Sequence, residues 1–217
     1  MRIIAGTHRG RHVAAPPGSG TRPMLDRVRE AIFSTLAPWM EGARVLDLFA
    51  GSGSLSFEAL SRGAAHARLV EADPRVAVVA GENARALELG DRIELLCGDA
   101  LDPAFWRARA PRFALVDVDG PAEPLLPEEA ADGRIWDVCF YDPPYPLLRD
   151  VATRGRVLEM AQLLTREHLA AEGILVLHAP AKALDAPDLA ADGIGLGRRT
   201  YGSNAIWYLQ REEEVEA

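Results

Sequence analysis

Apolar residues recur along this chain in two different periods. Between Met24 and Trp39 they fall at positions 25, 28, 32 and 36, one stripe of a helix, and Pro38 is expected to end it. From Arg44 onward the pattern changes to short apolar runs, each followed by a turn and then an amphipathic stretch. The runs "RVLDLF" (44–49), "HARLVEA" (66–72), "RIELLCG" (92–98), "WDVCFYD" (136–142) and "ILVLHA" (174–179) predict five strands. Helices are expected after the glycine turn at 51–53 and from Asp73–Pro74, an N-cap and N1 pair, to about Leu89. A short helix is expected in "DPAFWRARA", and a long amphipathic one in "RVLEMAQLLTREHLAA", closed by Gly173. "GLGRRTYGS" and "AIWYLQR" predict a closing antiparallel pair.

Strands alternating with helices imply an α/β fold: a doubly wound, mostly parallel seven-stranded sheet. Residues 1–38 read as an extension of it, with "RII" and "RHVAA" pairing as a hairpin over 2–15, "PPGSGTRP" as a linker and then the first helix. Residues 39–217 form the main domain. "FALVDVDG" (113–120) has strand character of its own, and the acidic, proline-rich stretch at about 118–134 reads as a surface insertion.

Composition narrows the picture. At 217 residues and 48% apolar, the chain can bury one domain-sized core. No run approaches the ~18 apolar residues of a membrane span. The start, "MRIIAGTHRGRH", lacks the apolar core of a signal peptide, so a cytoplasmic protein with no membrane partner is expected. Cys97 and Cys139 lie inside predicted strands without metal-like neighbours and are expected to be reduced. The net charge of -8 is unevenly spread: residues 1–30 hold six arginines against two acids, and the remainder holds 18 basic residues against 30 acidic ones. Only the N-terminal stretch has the sign for a polyanion.

Candidate chemistry lies at the strand ends. Asp47 sits within the first strand, and Gly51 and Gly53 occupy the turn that follows. Glycines there let a ligand approach the backbone. The phosphate-binding fingerprints are incomplete, because Ser56 stands where a third glycine belongs and no Gly-Lys-Ser/Thr follows. Glu71 ends the second strand, 18 residues past Gly53, near the offset of an acid that accepts from ribose hydroxyls. Asp99 follows the third strand. Ligands of open α/β sheets bind where such strand ends converge. Three acids favour a ligand with a ribose, an amine and a positive charge, which S-adenosylmethionine has; the pyrophosphate of NAD would be repelled. A glycine turn alone is often only a tight turn; the two acids in register are what raise the nucleoside reading.

The fourth strand ends in "FYDPPYPLL", which places three prolines around Asp142 and Tyr145. Proline fixes φ and extends the residue before it, so this turn is stiff. Asp142 and the Pro143 carbonyl offer two acceptors for the hydrogens of a planar amine, directing its lone pair at a methyl donor. Tyr145 offers a face for a base to stack on. The five histidines show no triad or metal spacing; none is given a role, and no metal is expected.

"LDLFAGSGSL" resembles the first motif of class I S-adenosylmethionine-dependent methyltransferases, and "YDPPY" resembles their (D/N)-P-P-(Y/F) amino-methylation motif. "RIIAGTHRGRHVAAP", "TRPMLDRVREAIFSTLAP" and "FAGSGSLSFEALSRGA" resemble the RsmD-type 16S rRNA guanine methyltransferases over roughly residues 1–100 and 136–210. The resemblance implies a Rossmann-like fold and methyl transfer from S-adenosyl-L-methionine to a guanine 2-amino group, with 16S rRNA or a 30S assembly particle as partner of a monomer. It implies Asp47, Phe49, Gly51, Gly53, Glu71 and Asp99 at the cofactor, and Asp142, Pro143, Pro144 and Tyr145 in the catalytic turn. Arg2, Arg9, Arg11 and Arg22 would touch RNA. The strand order of that class, 3-2-1-4-5, separates Cys97 and Cys139 by roughly 14 Å at ~4.8 Å per strand, beyond the ~7 Å reach of a disulfide. Two readings stay open beside it: an amino-methyltransferase of DNA adenine or protein glutamine, and a non-catalytic RNA-binding assembly factor. The 118–134 insertion has no counterpart in the expected pattern.

Overall fold

The computed structural model describes residues 1–16, 24–107 and 134–212. The expected strand at 113–120, all but the last residue of the 118–134 insertion, most of the linker and Arg22 lie outside the described residues.

Seven strands form one sheet: β1 (Arg44–Leu48), β2 (His66–Glu71), β3 (Ile93–Cys97), β4 (Trp136–Tyr141), β5 (Leu169–Pro180), β6 (Ile194–Tyr201) and β7 (Asn204–Arg211). Their spatial order is β3-β2-β1-β4-β5-β7-β6. The first five are parallel, and β7 pairs antiparallel with both β5 and β6. Two strands thus separate Cys97 from Cys139, and both thiols are free.

Side-chain alternation covers both faces of the sheet. Val45, Val138, Phe140, Ile174 and Val176 point into one buried cluster, while Leu46, Leu48, Cys139, Tyr141, Leu175 and Leu177 point into the other. The first face is covered by α1 (Asp26–Thr35), α2 (Ala37–Met40), α3 (Ser54–Ser61) and α4 (Pro74–Ala86). The second is covered by α6 (Val151–Glu167) and α7 (Ala186–Leu189), while α5 (Tyr145–Arg149) follows the turn after β4.

Several boundaries differ from the expected ones. Pro38 does not simply end the first helix: it sits in the first turn of α2, where its missing N–H costs nothing. The long helix stops at Glu167, and β5 begins at Leu169, a buried residue paired in register with Trp136. Gly173 is therefore no helix cap. It lies beside the register shift between Trp136 and Val138, and a Cβ there would come within 2.7 Å of the Trp136 carbonyl. The short helix of "DPAFWRARA" is one 3₁₀ turn, Pro103–Phe105.

The expected N-terminal hairpin is present as a short one: Arg2 pairs antiparallel with His12, Ile3 bonds Arg11 and Gly10, and Met1 and Val13 exchange hydrogen bonds at 2.9 Å. Tertiary docking also holds the segment. Ile3 and Val13 are buried with Val28, Phe33 and Phe57, so the extension shares the core of the first sheet face. Glu58 of α3, its side chain fully buried, accepts the amide protons of Ile4 (2.7 Å) and Ala5 (3.1 Å).

Candidate active site

The parallel strands bring Leu48, Glu71, Cys97 and Tyr141 to one edge of the sheet. Immediately after β1 the chain turns through Phe49, Gly51 and Gly53, all at positive φ (64°, 57° and 81°). Positive φ is uncommon for a non-glycine residue, and the Phe49 ring is braced edge-on against Tyr141 at 5.5 Å. The two glycines serve different ends. A Cβ on Gly53 would lie 2.7 Å from the Phe57 ring, so packing demands that glycine. A Cβ on Gly51 would meet nothing within 4 Å, so the loop is open on that side.

The three candidate acids of β1 to β3 do different things. Glu71 accepts from the Gly51 amide (2.9 Å) and the Asp73 amide (2.9 Å), tying the end of β2 to the loop. Asp99 accepts from the Leu101 amide at 2.9 Å and meets Arg156 of α6 at 3.4 Å, with both side chains about half exposed. Asp47, by contrast, is 1% exposed and lies beneath the loop, where it accepts from the Ser56 hydroxyl (2.7 Å) and amide (3.3 Å). Burial pushes its pKa up to about 8 against those two bonds, and the charges of Asp142 and Glu71 add to the rise. Asp47 is placed to shape the loop and the start of α3.

The catalytic-turn candidates lie beside this loop. The register Leu48 to Tyr141 makes Asp142 the next residue along, and its amide reaches the Leu48 carbonyl at 3.4 Å. Asp142 is about one-third exposed. Pro143 is buried and Pro144 exposed; Pro144 leads into α5, whose first residue is Tyr145.

Two further residues join the turn, and neither was among the candidate site residues. His178, near the end of β5, contacts Asp142 through Nδ1 at 2.8 Å and the Asn204 amide oxygen through Nε2 at 3.0 Å. The same Asn204 oxygen accepts from the Tyr145 hydroxyl at 3.2 Å. The signal was present in strand parity: with Tyr141 opposite Leu177, Asp142 and His178 follow in step on the same sheet face.

The RNA candidates lie elsewhere. Arg2, Arg9 and Arg11 are exposed on the docked N-terminal segment. Arg11 donates to the Ala86 carbonyl at the carboxyl end of α4, a helix whose other end lies at the crevice. Asn83 of the same helix bonds both Ala14 and the Ser52 carbonyl, linking that segment to the glycine loop. Among the described residues no cluster of histidine, cysteine or acid side chains is placed to hold a metal, and no helix is long and apolar enough to cross a membrane.

A family model described as conserved hypothetical protein 95 matches residues 1–124. Ribosomal RNA small subunit methyltransferase D of Haemophilus influenzae is 39% identical over 131 residues, 60% of this chain and 68% of that protein. The chain spans about half the length (54% and 46%) of Bacillus subtilis and Escherichia coli relatives that it also matches. The solved Escherichia coli structure of yhhF is 28% identical, covers 99% of both chains and superposes with a TM-score of 0.71. An RNA methyltransferase from Salinibacter ruber, solved in complex with S-adenosyl-L-homocysteine, shares the fold at 17% identity and a TM-score of 0.57, covering 90% of this chain and 98% of that one.

Proposed function

The chain belongs to the conserved hypothetical protein 95 family, and from that premise we propose that it transfers a methyl group from S-adenosyl-L-methionine to the exocyclic 2-amino group of a guanine in 16S rRNA, during small-subunit assembly. The observation that carries this reading is the position of Asp142. It leaves β4 one residue beyond the pair Leu48–Tyr141, beside the glycine loop, with its carboxylate partly exposed.

The crevice suits the cofactor. Gly51 leaves the loop open, Glu71 supplies a carboxylate at the end of β2, and Asp99 supplies a second at the end of β3. Bound there, S-adenosylmethionine would supply an electrophilic methyl carbon on a sulfonium. Glu71 and Asp99 would accept hydrogen bonds from it, and Phe49 would line its site. Asp47 acts through the loop rather than at the ligand.

At the turn, Asp142 and the Pro143 carbonyl grip the two hydrogens of the guanine amine. That draws its lone pair out of the ring plane toward the methyl carbon. With the cofactor there to supply the methyl group, Asp142 would also take up the proton that the amine gives up. Tyr145 stacks on the base, and Pro143 and Pro144 hold acid and aromatic at fixed spacing. Arg2, Arg9 and Arg11 contribute outlying contacts to the RNA backbone, and Arg22 is proposed with them on charge alone.

Labelled S-adenosylmethionine tests this with 30S particles lacking the mark, naked 16S rRNA, DNA and a protein glutamine substrate side by side. Label is expected in the rRNA arms. Asp142→Ala should slow turnover by about a hundredfold with cofactor affinity kept. Label only in DNA or protein, or full activity in Asp142→Ala, would overturn the assignment.

A further inference from the structure

His178 joins the turn to the neighbouring strand β7, and its surroundings define its protonation. Asn204 is oriented by a bond from its amide nitrogen to the Tyr201 carbonyl at 3.4 Å, which turns its oxygen toward the imidazole. The ring therefore faces an acceptor at each nitrogen: the Asp142 carboxylate at Nδ1 (2.8 Å) and the Asn204 oxygen at Nε2 (3.0 Å). Only the imidazolium donates to both. The side chain is 9% exposed, so water does little to replace either bond. The Tyr145 hydroxyl donates to the same Asn204 oxygen, which closes a chain from Asp142 through His178 and Asn204 back to the aromatic of the turn.

We propose that His178 is a positioning residue for Asp142, and that its proton sets how strongly Asp142 draws on the substrate amine. The inference rests on methyl transfer at the Asp142 turn. With the ring protonated, Asp142 is held in an ion pair, and a positive charge opposes the positive charge that grows on the attacking nitrogen. Loss of that proton leaves the Nδ1–H bond to hold the carboxylate, restores the net negative charge and gives the departing amine proton a less crowded acceptor. Transfer is thus faster when His178 is neutral.

The groups facing the ring are few among the described residues: Asp142 from the end of β4, Tyr145 from α5 with its ring centroid at 6.1 Å, and the uncharged Asn204 of β7. Burial alone would lower the histidine pKa. The bond and charge of Asp142, with the Asn204 bond, outweigh it, so the ring keeps its proton to higher pH than an ordinary histidine.

Two measurements on the full chain test this. Ring-nitrogen NMR follows the His178 titration in the wild type and in Asp142→Asn, and needs no substrate; the ionisation should move down in the variant. The single-turnover rate against pH, read with the rRNA substrate, should rise about tenfold across the wild-type ionisation. His178→Gln keeps an amide donor but cannot titrate, so its rate should stay flat there while cofactor affinity matches the wild type. An unmoved His178 titration in Asp142→Asn would overturn the proposal, as would a His178→Gln profile that superimposes on the wild type. An enzyme silent on every substrate, with the NMR coupling intact, would instead sink the methyl-transfer reading and the role in rate that rests on it.

Discussion

The Ser56 hydroxyl donates to Asp47 at 2.7 Å inside a site with almost no solvent access. The acid thereby joins β1 to the first turn of α3 beneath the glycine loop.

That contact predicts a pH-dependent stability. The Asp47 pKa is raised from 3.8 to about 8 in the folded chain, with burial as the leading cause. A raised acid holds its proton more tightly when folded than when unfolded. Between those two values folding therefore weakens as pH rises, by at most about 1.4 kcal/mol per pH unit. Asp47→Asn keeps an acceptor for Ser56 and cannot ionise. The urea midpoint of the wild type should fall relative to that of Asp47→Asn between about pH 5 and 8. A constant difference would show that Asp47 is ionised in the folded chain.

The two loop glycines should separate stability from binding. Gly53→Ala forces a methyl to 2.7 Å from the Phe57 ring and 2.9 Å from Leu69 at a φ of 81°. It is expected to cost about 1–3 kcal/mol of stability. Gly51→Ala has room, and pays only the left-handed backbone cost of about 1 kcal/mol. Its methyl instead narrows the open side of the loop. Calorimetric titration with S-adenosyl-L-homocysteine should show the larger loss of affinity per unit of lost stability in Gly51→Ala. Unchanged affinity there would place the cofactor away from Gly51.

Much of this arrangement was legible in the chain, for a physical reason. Strands buried on both faces must be apolar along their length, so β1 to β5 stood out, and their acids marked the strand ends. Asp47 and Glu71 looked alike in sequence and share a sheet face, yet one lies under the loop and the other reaches its amide, because Asp47 pairs with Leu69, two residues short of Glu71 along β2. His178 stands 36 residues from Asp142 and meets it only through the pairing of β4 with β5. Arg11 looked like a free cation, but the docking of its segment delivers it to the Ala86 carbonyl. The register shift at Trp136 has no local signature, so the start of β5 was placed too late.

The N-terminal segment is expected to act through the loop as well as through its charge. Glu58 holds it by two amides and pairs with Arg62 at 2.7 Å, and Gly6 packs so closely that a Cβ would fall 1.7 Å from the Ser61 carbonyl. Gly6→Ala should therefore expel the segment, and Glu58→Ala should cost about 1–3 kcal/mol by taking the acceptor from the part-buried Ile4 and Ala5 amides. Limited proteolysis should then cut within residues 1–16 while the sheet survives. Cofactor affinity should drop too, because Asn83 bonds both Ala14 and the Ser52 carbonyl of the loop. Release of the segment with cofactor affinity intact would confine its role to RNA.

Tyr145 offers a last separation, between a face and a hydroxyl. Its hydroxyl donates to Asn204 at 3.2 Å, while its ring begins α5 on the same turn as Asp142. If the ring stacks on the substrate base, Tyr145→Ala should lose about 1–3 kcal/mol of transition-state binding, roughly tenfold to a hundredfold in kcat/KM for RNA. Tyr145→Phe keeps the ring and should stay within a few-fold of the wild type, because Asn204 still holds His178 through the same oxygen. Steady-state kinetics on rRNA decides it. Equal losses in the two variants would move the function of Tyr145 from stacking to the hydrogen-bonded chain that ends on Asp142.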